Sequence, residues 1–263
     1  MLYHIYFSPT GGTKKVMERI SSAWEGPPQG IDLSDPEEDF ARYHFQPGDI
    51  CLVAIPSFGG RAPGVALERL EQMSGGNAKA VLICSYGNRA FDDTLLELED
   101  CLVRRQFRCA AAVAAVTEHS IMRQYGKGRP DEGDRQKLRE FGRQIRERLS
   151  QGDILTAVPV PGNWPYQDYG GVPFVPKAGR DCTHCGLCAQ KCPVKAIDPE
   201  NVTGTDKRKC ISCMQCISIC PKHARKLNDA LLFAASQKMK KVCLSRKENY
   251  LFLGDRESEG GMD

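Results

Sequence analysis

The sequence has no apolar run long enough to cross a bilayer. It opens on the strand-like residues 2–7 rather than on a basic stretch, an apolar stretch and a cleavage site. The expectation is a soluble, cytoplasmic protein with no membrane span. Charge of one sign is also scarce: 36 basic and 33 acidic side chains leave a net charge of +3, too little for the cationic surface that nucleic acid demands. Neither G-x-G-x-x-G nor G-x4-G-K-[ST] occurs, which argues against a dinucleotide site and a Walker-type phosphate loop. Cysteine, by contrast, is abundant, and eight of the 13 belong to one repeat in the last third of the chain.

Those eight form the pattern C-x2-C-x2-C-x3-C-P twice, first at Cys182, Cys185, Cys188, Cys192 and Pro193, then at Cys210, Cys213, Cys216, Cys220 and Pro221. In such runs three thiolates surround one cluster and the fourth reaches across to the neighbouring one. Two [4Fe-4S] clusters are therefore expected, one on Cys182, Cys185, Cys188 and Cys220 and the other on Cys210, Cys213, Cys216 and Cys192. The proline after each fourth cysteine ends the local helix. Structural zinc is the plainer alternative, but a zinc site needs four ligands and has no use for this third and fourth cysteine in both copies. Cys51, Cys84, Cys101, Cys109 and Cys243 lie in apolar contexts, where free cysteine behaves as a small core residue. Thiolate-held clusters favour a reducing compartment and are consistent with an anaerobic host. On both motifs and the residues after the two prolines (194–197 and 222–225), this region resembles the bacterial two-cluster ferredoxins.

A separate domain must precede the repeat. Residues 2–7 read as a buried strand, followed by Ser8, Pro9, Thr10, Gly11, Gly12 and Thr13 and then a helical stretch near 13–24. Such a strand, hydroxyl-rich turn and helix can offer a phosphate backbone N–H groups, the hydroxyls of Ser8, Thr10 and Thr13, and a positive helix end. The same residues also serve as an ordinary helix cap. Further strands are predicted at 31–33, 50–55, 80–85 and 110–117, and helices near 62–73, 91–107 and 133–149, an alternation that specifies a doubly wound parallel sheet. The stretch between the second and third strands holds Pro36, Pro47 and Gly48 and is too broken for a full covering helix. Ligands in such sheets sit beyond the carboxyl ends of the strands at the switch point. There the sequence places Ser57, Phe58, Gly59, Gly60 and Arg61, and then Ser85, Tyr86, Gly87, Asn88 and Arg89.

The S-x-T-G-x-T turn after the first strand resembles the flavin mononucleotide (FMN) phosphate loop of the flavodoxins, and the loops at 56–61 and 85–92 sit where theirs hold the isoalloxazine ring. With the cysteine repeat, the whole chain resembles the flavodoxin-ferredoxin fusion proteins of anaerobic prokaryotes. The resemblance implies an α/β class: a flavodoxin-like doubly wound parallel five-stranded sheet, order 2-1-3-4-5, plus a small α+β two-[4Fe-4S] ferredoxin domain. It carries phosphate binding to Ser8, Thr10, Gly11, Gly12 and Thr13. Ring contacts go to Ser57, Phe58, Gly59, Gly60, Tyr86, Gly87 and Asn88, with Phe58 or Tyr86 to stack on the ring and Arg61 and Arg89 as candidates to face flavin charge. Glu118, His119 and Ser120 point in different directions on a strand end and are read as loop, with His119 a lesser ring-site candidate.

The expected domains are 1–157 (FMN-binding), 158–179 (linker), 180–226 (ferredoxin) and 227–263 (basic helix and tail). The linker is rich in proline and aromatics, which suggests a segment packed on its neighbours, fixing the spacing of flavin and cluster. Residues 121–132 are polar and glycine-bearing and read as a mobile surface loop. The lysines ending the helix at 227–241 complement its dipole or form a docking patch for an acidic redox partner. Residues 246–253 are expected to fold back as a strand or clamp, and the last ten residues to be disordered. The function expected is electron transfer between two clusters and FMN and on to partner oxidoreductases. The alternative is an FMN-dependent reductase of a small molecule, fed by its own ferredoxin domain.

Overall fold

The structure is a computed structural model and describes residues 1–150 and 158–254. The first strand, β1 (Leu2–Tyr6), pairs in parallel with both β2 (Gln29–Asp32) and β3 (Ile50–Pro56), so the chain reverses its winding there. Next come β4 (Lys79–Tyr86) and β5 (Arg108–Val116), both parallel, giving the order 2-1-3-4-5 expected from the sequence. Both faces of β3, β4 and β5 are buried, which is why these strands read as unbroken apolar runs. One face, with Val53, Leu82 and Ala112, packs against helices α2 (Gly64–Leu70) and α3 (Thr94–Arg104). The other, with Leu52, Val81, Ile83 and Val113, packs against α1 (Gly12–Ser21) and α4 (Glu132–Ser150). Between β2 and β3 a short 3-10 turn, Phe40–Arg42, replaces a helix, and buried Phe40 and Phe45 cover the sheet there.

The cysteine region carries only small elements: β6 (Lys177–Ala178), α5 (Leu187–Gln190), α6 (Gln215–Ser218) and β7 (Arg225–Lys226), with β6 and β7 antiparallel. Beyond it, α7 (Asp229–Cys243) lies back over the first domain, and β8 (Tyr250–Leu253) adds to β5 as an antiparallel sixth strand. The C-terminal segment thereby covers a sheet edge that would otherwise be open. Among the described residues no helix is long and apolar enough to cross a membrane.

The expectation of a mobile surface loop at 121–132 is corrected. Met122 and Tyr125 are buried with Phe174, Met214 and Cys243, against the apolar stripe Leu232, Ala235 and Met239 of α7. Tyr125 donates its hydroxyl proton to the Ser236 carbonyl at 2.6 Å. The loop's partners arrive from about 50 to 120 residues farther along the chain, which local pattern cannot register. Of the ten residues expected to be disordered, Gly254 is buried. Residues 255–263, like the expected domain boundary at 157, lie outside the described residues.

Residues 158–179 run along α3 and then bridge to the cysteine region. Asp93, fully buried at the start of α3, accepts hydrogen bonds from the amides of Asn163 (2.8 Å) and Gln167 (2.7 Å). Farther on, the Ser212 hydroxyl donates to the Phe174 carbonyl at 2.8 Å. Arg69 of α2 is buried and donates to the carbonyl of Pro193 at 2.7 Å, while Lys195 pairs with Glu37 at 2.8 Å. The cysteine region is thus held against the first domain directly as well as through the linker.

Candidate functional site

The turn from β1 into α1 is shaped by Gly11, whose φ of +83° favours glycine and whose amide donates to the Ser8 carbonyl at 3.0 Å. Ser8 Oγ accepts the Lys14 amide at 2.9 Å, and Thr13 Oγ1 shares a hydrogen bond of 2.7 Å with Ser85 Oγ at the end of β4. Among the described residues the amides of Gly12 and Thr13 have no hydrogen-bond acceptor, as the first turn of a helix leaves them. They open on a cavity walled by Pro9, Thr10, Gly12 and Thr13, by Pro56, Ser57 and Phe58, by Ser85 and Gly87, and by residues 117–120. The turn therefore presents what an anionic head group needs at a helix N-terminus.

The expected ring-contact residues divide. Ser57, Phe58 and Gly87 line the cavity. Tyr86 does not: neighbouring residues on a strand face opposite ways, so with Ser85 turned to Thr13, Tyr86 is buried on the other side. There it packs on Phe91 and donates to the Glu248 carbonyl at 2.7 Å, and burial raises its pKa. Asn88 is spent on the C-terminal segment, donating to the carbonyls of Cys243 (2.6 Å) and Ser245 (2.9 Å) and accepting from the Lys247 amide (3.1 Å). Arg89 pairs with Asp92, and Arg61 with Glu97 at 2.8 Å, so neither is an unpaired cation. Gly59 and Gly60 lie under the linker, where an added Cβ would fall 2.3 Å from the Tyr169 ring and 2.0 Å from the Gln167 amide nitrogen, respectively.

Glu118, His119 and Ser120, read from the sequence as loop, all reach the cavity. Gly87 has no room for a side chain because the His119 imidazole would lie within 2.9 Å of its Cβ. Nδ1 of His119 accepts from the amides of Ile121 (3.1 Å) and Met122 (3.2 Å), so the neutral ring carries its proton on Nε2. Burial, with a smaller contribution from Arg89, lowers the pKa of His119 to about 4. The cavity widens into a cleft lined by Lys15, Glu18, Arg19, Glu118, Arg123 and His223, in which Arg123 is ion-paired with Glu118. His119, a lesser ring-site candidate from the sequence, does line the cavity, where it meets Gly87.

The eight repeat cysteines surround two further cavities. One is lined by Cys182, Cys185, Cys188 and Cys220, the other by Cys192, Cys210, Cys213 and Cys216, so the fourth cysteine of each motif sits with the first three of the other. Leu187 and Val202 complete the first cavity, and Ile197, Ile211 and Met214 the second. Among the described residues no three His, Cys, Asp or Glu side chains close around a point as a single metal ion requires. Sulfur sets of this kind suit a cluster with several metal corners better than zinc. Cys51, Cys84, Cys101, Cys109 and Cys243 are all buried away from both sets, and burial raises the pKa of each thiol.

Residues 181–225 match a family described as "4Fe-4S dicluster domain". The chain joins a flavodoxin-like fold to a dicluster domain. No curated protein matches it. Among solved structures, a flavodoxin from the domain Archaea is similar at 14% identity, covering 57% of this chain and 99% of that one with a TM-score of 0.42. Flavodoxin 2 from Bacillus cereus shares 18% identity over 56% of this chain and 98% of that one, TM-score 0.40. An NAD(P)H:quinone oxidoreductase from Methanothermobacter marburgensis shares 13% over 59% and 98%, TM-score 0.34. The strand order and its switch point, rather than these distant likenesses, carry the fold assignment.

Within the dicluster domain the thiols already receive hydrogen bonds. The Ala196 amide donates to Cys192 Sγ and the Ala224 amide to Cys220 Sγ, each at 3.3 Å, equivalent contacts in the two halves of the repeat. Donors of this kind stabilise thiolate charge and tune the potential of whatever the sulfur binds. Exposure differs between the sets: Cys185 is exposed, whereas Cys192 and Cys213 are buried. Cys213 also lies in the wall of the cavity above the phosphate-type turn.

Proposed function

We propose that this chain is an electron-transfer protein. In it, two [4Fe-4S] clusters exchange electrons with an FMN bound at the switch point of the sheet and pass them to partner oxidoreductases. One cluster belongs to Cys182, Cys185, Cys188 and Cys220, the other to Cys210, Cys213, Cys216 and Cys192. Ser8, Thr10, Gly11, Gly12 and Thr13 take the FMN phosphate. The observation that carries this reading is the double role of Cys213, which lines both the second cysteine cavity and the cavity bounded by the turn, Phe58 and Gly87. Tunnelling falls off steeply with distance, and a shared wall is the shortest link two redox sites in one chain can have.

The residues present suit these groups. Each cysteine cavity has four sulfurs, apolar walls and a backbone donor to sulfur. The turn offers unpaired amides at a helix N-terminus, and Pro56, Phe58 and Gly87 provide a smooth apolar wall for a planar ring. A bound flavin would supply the exchange between one- and two-electron chemistry, while the protein positions the ring and excludes water from it. His119, with its proton on Nε2, is one of the polar groups lining that cavity.

A second reading, an FMN-dependent reductase of a small molecule, draws support from the open cleft beside His119, with Lys15 and Arg19 in its lining. Anaerobic purification with assay of iron, sulfide and flavin tests the proposal, followed by titration monitored by absorbance and EPR. About eight irons per chain and one FMN, with electrons equilibrating between them, is the expected result. Eight irons with no flavin affinity would refute the flavin half. Turnover of a small acceptor, without any protein partner, would favour the reductase.

A further inference from the structure

The two halves of the dicluster domain differ in charge at one position buried in both. After the fourth cysteine of each motif, the first copy runs Pro193, Val194, Lys195, Ala196, Ile197 and the second runs Pro221, Lys222, His223, Ala224, Arg225. Ile197 is buried among Ala189 and Val202. Arg225, in the equivalent place, is 2% exposed. Burying a guanidinium is expensive unless an anion or a full set of acceptors meets it.

The acceptors are incomplete and no carboxylate is among them. Nη1 donates to the Val202 carbonyl at 2.6 Å and to Cys188 Sγ at 3.5 Å. Nη2 donates to the carbonyls of Pro176 (2.9 Å) and Gly204 (3.1 Å) and to Thr205 Oγ1. Nε is buried with no partner, and among the described residues Arg225 has no ion pair with Asp or Glu. Its only potential anions are cysteines. Arg225 itself lines the first cysteine cavity, and two of its partners, Pro176 and Thr205, line the second.

We infer that Arg225 is the shared counter-charge of the two cysteine sets, a fixed cation between them that makes each cluster easier to reduce. The inference rests on reading the sets as cluster sites. Each cluster gains one electron from an external donor and no proton, so its negative charge rises by one, and a buried cation that stays in place favours the reduced form. A single cation facing both sets shifts both potentials in the same direction.

The test is a potentiometric EPR titration of the full chain, with iron and sulfide counted, for wild type, Arg225→Gln and Arg225→Lys. Gln retains a donor without the charge; Lys retains the charge without the fork. The expected result is a negative shift of both midpoints in Arg225→Gln by about 59 mV or more, a tenfold change in a one-electron equilibrium, with Arg225→Lys close to wild type. Unchanged midpoints in a fully loaded Arg225→Gln protein would overturn the inference. So would an equal shift in both variants, which would make the bonding geometry, not the charge, responsible. If Arg225→Gln fails to hold its clusters while Arg225→Lys holds them, the counter-charge is supported; failure of both overturns it. A wild-type chain lacking iron and sulfide would instead refute the cluster reading beneath it.

Discussion

Asp93 carries more of the domain arrangement than any other side chain on the linker path, and its replacement by alanine should release the linker from α3. Its carboxylate is fully buried and accepts three hydrogen bonds: from the amides of Asn163 and Gln167, and from Asn163 Nδ2 at 3.2 Å. Its own amide donates to the Gly60 carbonyl at 2.9 Å, so the same residue also ties the 56–61 loop to α3. In Asp93→Ala the three donors lose their acceptor. Each buried donor left unsatisfied costs about 1–3 kcal/mol, but a surface segment can open and rehydrate its amides, which caps the loss. We take about 2–4 kcal/mol, which raises the opening equilibrium of the linker by roughly 30- to 700-fold.

Hydrogen exchange at the amides of Asn163 and Gln167 reads that opening directly. Asp93→Ala should lose protection by that factor at these two amides while the β3 and β4 amides remain protected, and Asp93→Asn should fall between. Burial alone would raise the Asp93 carboxyl, but the bonds from Gln167 and Asn163 prevail and hold it below its ordinary 3.8. A depressed carboxylate stabilises fully above its ordinary value and loses that contribution as pH falls through the lower, folded value. Linker protection should therefore be flat at neutral pH and weaken only in strong acid. Equal protection in wild type and Asp93→Ala would refute the reasoning, since it would mean the three bonds are not what holds the segment.

Gly87→Ala drives a Cβ to within 2.9 Å of the His119 ring, so the ring must leave the cavity wall; we expect a loss of about 1–3 kcal/mol in thermal unfolding and at least tenfold weaker flavin binding by fluorescence titration. Cys213→Ala should remove one cluster and leave the other, seen as iron falling from about eight to about four per chain, and should uncouple the flavin from the remaining cluster in stopped-flow reduction. Burial lowers the pKa of both His4 and His119 to about 4, so both stay neutral when folded. Stability should be complete above the ordinary histidine value of 6.5, fall between there and about 4, and level off below; His119→Gln should flatten part of that slope in a series of Tm against pH.

The sheet order was legible because each strand carries its own signal. Residues 50–55 and 80–84 are apolar at every position, and only a strand covered on both faces needs that. The cysteine sets were legible for a similar reason: spacing within each motif fixes which sulfurs share a loop, and the crossing of Cys192 and Cys220 follows from the x3 gap. The ring-side residues were harder. Ser85, Tyr86, Gly87 and Asn88 look equivalent in sequence, yet strand alternation sends Tyr86 under β8, and Asn88 is taken by carbonyls of residues 243 and 245. The first loss follows from strand alternation; the second arises from the C-terminal segment, whose return across the first domain has no local signature at residue 88. The burial of Arg129 beside Asp134 has the same origin, since Asn249 and Lys247 complete that cluster from the far end of the chain.

That returning segment has a consequence for the order of the redox sites. Because α7 packs on Met122, Tyr125 and Met214, and Arg69 grips Pro193, the second cysteine set is pressed against the first domain and the first set is turned outward. Cys185 is exposed while Cys213 is shared with the cavity over the turn. In the proposed function a partner protein would reach the exposed first set, while a flavin over the turn would face the second. In the proposed function electrons would therefore pass in series, partner to first cluster, first to second, second to flavin, or in reverse. The buried cation between the two sets stands at the middle step.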